Sequence, residues 1–292
     1  MGSHDPLIRS LLFVPGSRLD FLRKADAAGA DAIVFDLEDA VAAAMKTSAR
    51  ASVRDALDQR GGRLTFVRIN HPSLGMIGED VSVLAPNAEQ AVLVPKIEQV
   101  EDVLKVDAEL AALEKRHGLP QHSISIGVAI ESAAGLRSLH DVLRSTPRAR
   151  GAVLASAEEG DLLADLGGRW TPTGDALAYS RGKFVCDARA GGVSWLIDGA
   201  FMNLRDEAAL TREASLARTY GFTGKIAIHP GQVTAINAAF SPTSAEVDRA
   251  RRLIEAFRAA EADGRGAVKF EGMMVDYANI KLAERILEMA RT

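Results

Sequence analysis

Acidic and basic side chains recur in this chain directly after short apolar runs. Asp36-Leu37-Glu38-Asp39 follows Ala32-Ile33-Val34-Phe35, Arg68-Ile69-Asn70 closes the run from Leu64, Pro95-Lys96 closes the run from Ala91, and Glu131-Ser132 follows Gly127-Val128-Ala129-Ile130. Pro15-Gly16-Ser17-Arg18 stands near the start, and Glu158-Glu159-Gly160-Asp161 and His229-Pro230 come farther on. If these groups converge, so many carboxylates repel one another strongly unless cations neutralise them. Hard oxygen ligands favour Mg2+, or Mn2+, over zinc or copper. The residue types ask for a divalent metal.

Each group also has a plainer role. Asp36, Glu38 and Asp39 can cap the next helix or pair with Lys46 and Arg50, and Arg68 can pair with a neighbouring acid. Arg18, Lys24, Lys46 and Arg50 read most simply as solvated helix charges, with a phosphate site as the alternative. Glu131 differs, because its place after a wholly apolar-to-small run sets its carboxylate near a core rim, where it needs a partner. His229 before Pro230 reads as a satisfied hydrogen-bonding residue, and Cys186, in a helical stretch, as inert packing.

Bringing these groups to one surface requires particular elements. Strand candidates rich in β-branched residues are Leu11-Pro15, Ala32-Leu37, Leu64-Ile69, Ala91-Pro95, Ile124-Ile130, Gly151-Ala155, Ser194-Gly199 and Lys225-Ile228, separated by helical segments such as Glu101-Lys115 and Asp206-Tyr220. Several runs are apolar on consecutive positions, as parallel strands covered on both faces are. Eight strand-helix units with right-handed crossovers predict an α/β fold, the (β/α)8 TIM barrel, whose reacting groups sit where strands run out into loops. A doubly wound open sheet is the alternative, but Val14-Pro15-Gly16-Ser17-Arg18 lacks its G-x-G-x-x-G loop.

The barrel is expected over 7–243, and 244–292 reads as a helical extension with a lid arm. Val247, Ala250, Leu253, Ile254 and Phe257 share one helical face behind a cap at Ser244. Ala262-Asp263-Gly264-Arg265-Gly266 then breaks the chain as a hinge, and the apolar run from Val268 to Val275 is expected to dock on a surface. A last amphipathic segment runs from Tyr277 to Met289.

Composition narrows the classes of function. The 292 residues are 47% hydrophobic, 25% charged and 5% aromatic, which argues against disorder. Thirty-five Lys and Arg against 39 Asp and Glu leave a formal charge of −4, so no positive field is available to hold nucleic acid. The lone Cys186 excludes an internal disulfide and a cysteine zinc site, and predicts a reducing cytoplasm. The uncharged run from Ile226 to Ala245 carries His229, Gln232 and Asn237, which would be costly in hydrocarbon, so no membrane partner is expected. Met1-Gly2-Ser3-His4-Asp5-Pro6 reads as a cloning remnant.

Taken in order, the segments spell a known pattern. They are Phe13-Val14-Pro15-Gly16-Ser17-Arg18, Asp36-Leu37-Glu38-Asp39-Ala40-Val41 with Lys46 and Arg50 behind it, Arg68-Ile69-Asn70, Val94-Pro95-Lys96, and Ala129-Ile130-Glu131-Ser132-Ala133. Asp161-Leu162 with Asp165-Leu166-Gly167, Ile228-His229-Pro230 with Gln232, and Gly272-Met273-Met274-Val275-Asp276 complete it. From Arg9 to about Leu287 the chain resembles the citrate lyase β-subunit family, which includes malyl-CoA and citramalyl-CoA lyases, within the HpcH/HpaI aldolases.

The resemblance implies a TIM barrel assembled as trimers or hexamers. It assigns Mg2+ to Glu131 and Asp161, and the thioester or keto oxygen to Arg68. Asp276 corresponds to an acid on a C-terminal arm that closes over the mouth of a neighbouring subunit. Glu38 and Asp39 join Arg68 and Asp276 as candidate catalytic groups; Arg18, Lys24, Pro95 and Lys96 join Arg68 as candidate substrate contacts. One departure is the loop Ala155-Ser156-Ala157-Glu158-Glu159-Gly160-Asp161, a residue longer than the family pattern, which leaves Glu158 or Glu159 as the alternative ligand.

The implied reaction is Mg2+-dependent cleavage, or formation, of a 3-hydroxyacyl thioester of CoA or an acyl carrier, such as citryl-, citramalyl- or malyl-CoA. The products are a small 2-keto acid and an acyl thioester. Alternatives are a class II pyruvate-type aldolase, a malyl-CoA thioesterase or malate synthase, and a non-enzymatic CoA-ester-binding subunit.

Overall fold

Runs that are apolar on consecutive positions become strands buried on both faces. In the computed structural model, which describes residues 7–18, 21–60, 64–84 and 90–290, β2 (Ala32–Asp36) and β4 (Gln90–Val94) are buried at every position. The other barrel strands are β1 (Ser10–Pro15), β3 (Thr65–Arg68), β5 (Ser125–Ile130), β6 (Ala149–Leu154), β7 (Trp195–Asp198) and β8 (Gly224–Ala227). All pair in parallel in sequence order, and β1 returns to β8 through Leu11 opposite Ile226, which closes the barrel. Every expected strand is present, with ends shifted by at most two residues. The expected remnant at 1–6 lies outside the described residues.

The crossovers carry α1 (Leu22–Ala27), α2 (Lys46–Arg60), α3 (Ile77–Val81), α4 (Val100–His117), α5 (Ala133–Arg144), α6 (Asp161–Asp165), α7 (Ala178–Gly191) and α8 (Glu207–Tyr220), and α9 (Val233–Phe240) follows the last strand. Leu11, Val34, Phe66, Leu93, Ala129, Val153, Trp195 and Ile197 fill the barrel interior. Trp195 is the largest of them and meets Phe66 edge-on at 5.2 Å. Its ring takes the space that side chains would need at two neighbouring strands: a Cβ on Gly127 would lie 2.3 Å from it and one on Gly151 2.0 Å. Two residues beyond Val34, Phe66 and Ala129, the same period of two brings Asp36, Arg68 and Glu131 to the C-terminal mouth.

Behind the strands lie ionic networks that the sequence did not announce. Arg148, fully buried just before β6, holds Glu114 of α4 through Nη1 at 2.5 Å and Nη2 at 2.7 Å, and these bonds, with the N–H groups of Ile124 and His122, keep the Glu114 carboxyl down near 2 against the opposing effect of burial. Asp198 at the end of β7 is reached by Arg181 at 3.0 Å and Lys225 at 2.8 Å, and Lys225 also donates to Glu213 at 2.6 Å. Cys186 departs from expectation. The buried face of α7 is Ser180, Arg181, Phe184 and Ala188, so the thiol falls on the opposite face and is exposed.

The chain divides into two compact units, 1–238 and 239–292. The second contains α10 (Ser244–Ala262), β9 (Val268–Phe270), β10 (Met273–Val275) and α11 (Tyr277–Met289). Thr243 rather than Ser244 caps α10, because its hydroxyl accepts from the Glu246 N–H at 3.2 Å while Glu246 accepts from the Thr243 N–H at 2.7 Å. The apolar run from Val268 forms an antiparallel hairpin. Val268, Phe270 and Val275 pack with Leu253, Ile254, Phe257 and Ile280, while Met273 and Met274 stay exposed. No helix among the described residues is long and apolar enough to cross a membrane.

Candidate active site

Asp36 organises the mouth. Buried at the end of β2, it accepts two parallel bonds from Arg68, from Nε and Nη2, both at 2.7 Å. It also accepts the main-chain N–H groups of Glu38 at 2.9 Å and Ala40 at 3.1 Å, which turns the chain sharply after the strand. The guanidinium is therefore locked in plane, with the Phe13 ring 5.1 Å away and its Nη1 2.9 Å from Glu38 Oε2. That last contact is an ion pair without hydrogen-bond alignment, so Glu38 Oε2 is a buried oxygen that accepts no hydrogen bond.

Lys96 crosses to the same acids. Its Nζ lies 2.9 Å from Glu38 Oε1 and 3.0 Å from Asp39, while its main-chain N–H donates to Glu131 Oε1 at 3.2 Å. To do both it adopts a left-handed φ of 52°, unusual for a lysine. From below, Lys46 Nζ donates to the carbonyls of Leu37 at 2.6 Å and Glu38 at 2.7 Å and to Asn70 Oδ1 at 2.7 Å. Asn70 is held in turn by Asp80, which pairs with Arg50 at 2.7 Å. Lys46 and Arg50 are thus not solvated helix charges; they anchor the loops after β2 and β3.

The electrostatics set Glu131 apart. Burial pushes its carboxyl up to about 7, and the charge of Glu38 adds to the effect against the opposing pull of Arg68. Burial also raises Glu38, despite Arg68 and Lys96. Both cations are held firmly charged: burial works against each, but Asp36, Glu38 and Glu131 together outweigh it at Arg68, and Glu38 and Asp39 outweigh it at Lys96. Four acids, Asp36, Glu38, Asp39 and Glu131, face three cations, Arg68, Lys96 and Lys46, and among the described residues Glu131 receives a single hydrogen bond and no ion pair. A buried carboxylate under like-charge repulsion with so few donors suits a hard divalent cation. No three His, Cys, Asp or Glu side chains form a ready cage among the described residues, so water or substrate oxygens would complete the shell.

Comparison with known sequences decides the family. Residues 9–230 match the model described as HpcH/HpaI aldolase/citrate lyase, and residues 184–292 match one described as a C-C bond lyase of the TIM-barrel fold. The chain belongs to the HpcH/HpaI aldolase/citrate lyase family. It is 33% identical over 290 residues to citrate lyase subunit beta of Leuconostoc mesenteroides, covering 99% of this chain and 95% of that protein. It is 35% identical over 286 residues to a (3S)-malyl-CoA thioesterase of Cereibacter sphaeroides, covering 97% and 94%. Among solved structures it is similar to the protein CitE of Mycobacterium tuberculosis in complex with magnesium, acetoacetate and coenzyme A, at 29% identity and a TM-score of 0.77, covering 98% and 99%.

In this member of the HpcH/HpaI family the mouth contacts join Glu38, Asp39, Arg68, Lys96 and Glu131, and Pro95 is buried beside them at the end of β4. Asp161 opens α6, exposed, on the loop after β6, the strand next to β5; Glu158 and Glu159 are exposed just before it. Lys24 is exposed on α1, and the exposed Arg18 lies over the Phe21 ring at 4.0 Å. His229 is satisfied, accepting from the Gly231 N–H at 3.0 Å. Asp276 lies in the second unit, where its Oδ1 accepts from the Ala278 N–H at 2.9 Å and caps α11. Two groups escaped the sequence reading as site residues. Asp36 was visible only as one acid among three, and Asn70 as the end of a motif.

Proposed function

We propose that this chain is a Mg2+-dependent carbon-carbon lyase that cleaves a 3-hydroxyacyl thioester bearing a carboxylate on its hydroxyl carbon. The observation that carries the reading is a guanidinium locked by Asp36 at the same barrel mouth as Glu131, a buried carboxylate with no ion-pair partner among the described residues. Glu131 and Asp161 would hold Mg2+, which supplies a Lewis acid that lowers the pKa of the substrate hydroxyl.

The chain's own groups then act on what the cleavage leaves. The hydroxyl gives up its proton to solvent, its oxygen forms the C=O of the keto acid, and the C–C bond breaks with its electron pair passing into the thioester, where the new negative charge gathers on the enolate oxygen. Arg68 offers N–H groups that Asp36 leaves free to that oxygen, and its locked plane needs no reorganisation as charge develops. Lys96, fixed by Glu38 and Asp39, holds the rim in shape and keeps its N–H on Glu131. Asp276, from the arm of a neighbouring copy in a homotrimer or hexamer, gives the enolate carbon its proton, and in reverse removes the thioester α-proton. The magnesium and coenzyme A of the mycobacterial CitE complex support a CoA thioester as the substrate, and a small 2-keto acid is the other product that this cleavage requires. The lone exposed Cys186 supports a reducing cytoplasm as the setting.

A second reading, hydrolysis of malyl-CoA, is favoured by the 35% identity to a thioesterase, and uses the same enolate site with water intercepting the thioester. The test incubates the protein with Mg2+ and citryl-, citramalyl- or malyl-CoA. Free keto acid with retained acyl-CoA marks the lyase; free CoA and hydroxy acid without keto acid mark the thioesterase. No turnover of any of them, with or without chelator, would reduce the chain to a binding subunit.

A further inference from the structure

Helix α6 is only five residues long; a neighbouring element holds its C-terminal end, and the loop that leads into it is pinned at its exit from β6. At its C-terminal end Asp165 Oδ2 accepts the main-chain N–H of Ala133 at 2.7 Å. Ala133 is the first residue of α5 and stands two places after Glu131. At the other end the chain leaves β6 through Ser156, whose buried hydroxyl donates to Asp198 at 2.6 Å and accepts from the Gly199 N–H at 2.9 Å. The Gly160 N–H then bonds the Ala157 carbonyl at 3.1 Å and delivers the chain to Asp161. Asp161 and Asp165 are four apart, so both lie on one side of the helix.

The Asp165 bond takes the first N–H of α5, a donor that the cap of the helix leaves open. That helix has its own cap, Ser132, whose hydroxyl accepts from the Gly135 N–H at 3.1 Å and donates to Glu98 at 2.6 Å. Asp165 is itself exposed, so it stabilises no core. Its bond does one thing the cap does not: it ties the turn carrying Glu131 to the helix carrying Asp161.

We propose that Asp165 is a positioning residue that sets Glu131 and Asp161 at a working separation and so tunes divalent-metal affinity. The proposal rests on the reading of those two acids as the metal pair. Because the bond needs an acceptor at 165 and an N–H at 133, it can be cut from either side. Asp165→Ala removes the acceptor, Asp165→Asn keeps an amide oxygen there, and Ala133→Pro deletes the donor at a first helical position where proline is tolerated, after a Ser132 already extended at φ −143° and ψ 164°.

The experiment titrates Mn2+ alone into the full chain, reading free ion by electron paramagnetic resonance, with circular dichroism and melting as controls on folding. Asp165→Ala and Ala133→Pro should each weaken Mn2+ binding roughly tenfold, as loss of supporting contacts around a metal site does, and the double variant should be no worse than either single one. Asp165→Asn should bind within about twofold of the parent. Glu131→Gln is the control on the underlying reading: it should lose Mn2+ binding, and unchanged binding there would overturn the metal pair itself. If Glu131→Gln loses the ion while Asp165→Ala and Ala133→Pro bind like the parent, the positioning role is wrong and the metal pair stands. If Asp165→Asn is as weak as Asp165→Ala, charge rather than the bond is responsible, and the proposal fails.

Discussion

Replacing Glu131 with glutamine should stabilise the metal-free protein while destroying its function. The carboxyl is nine-tenths buried and is pushed from its ordinary 4.5 up to about 7, first by burial and then by Glu38. Below pH 4.5 the side chain is protonated in the folded and unfolded chain alike and contributes nothing to the pH dependence. Between 4.5 and about 7 the unfolded chain loses the proton and the folded chain keeps it, so stability falls as pH rises. Above 7 both are ionised, and the folded state carries a constant penalty of about 3 kcal/mol. Glutamine has no charge to bury and keeps an oxygen for the Lys96 N–H. In chelator, Glu131→Gln should therefore match the parent near pH 4.5 and exceed it by up to about 3 kcal/mol at pH 8, a rise of roughly 5–10 °C in melting temperature for a chain of this size. Millimolar Mg2+ should reverse the order, because binding to the folded state stabilises only the protein that has the ligand. Paired urea and thermal melts from pH 4.5 to 8.5 would decide it. A difference that does not grow with pH, or a Glu131→Gln protein less stable than the parent at pH 8 in chelator, would refute the idea that Glu131 is a repelled, buried acid waiting for a cation.

Arg68→Lys should lower kcat roughly a hundredfold or more, because a point charge cannot keep both the Asp36 fork and an N–H aimed at the enolate oxygen; steady-state kinetics showing unchanged kcat with a raised KM would make Arg68 a ground-state clamp instead. Gly151→Ala should cost about 3 kcal/mol or more in urea melts, since its methyl would sit 2.0 Å from the Trp195 ring, and a well-folded variant of parental stability would mean that Trp195 can move aside. Mixing Asp276→Asn with Glu131→Gln after dissociation and reassembly should recover lyase activity if the site is shared between copies. Verified mixed oligomers without activity, or a fully active monomer, would sink that arrangement.

The sequence by itself determined the barrel and the list of groups at its mouth, because both depend on local pattern. A run such as Ala32-Ile33-Val34-Phe35, one of eight alternating with helical segments, fits a strand covered on both faces, and in a barrel whatever follows such a strand lies at the mouth, which is enough to name Glu38, Asp39, Arg68, Lys96 and Glu131. Asp276 was legible only through resemblance to a family, since nothing near it in the chain says what it meets. Partnership was decided in three dimensions. Asp36 and Arg68 are 32 residues apart, Lys46 and Asn70 are 24, and Ala133 and Asp165 are 32. Each pair meets because barrel closure fixes the stagger of neighbouring strands, a property of the whole sheet that no window of sequence contains. For the same reason Lys46 and Arg50, which look like solvated charges on a helix, became anchors of the loops beside them. Cys186, which looks like packing, turned outward once the phase of α7 against the barrel was set.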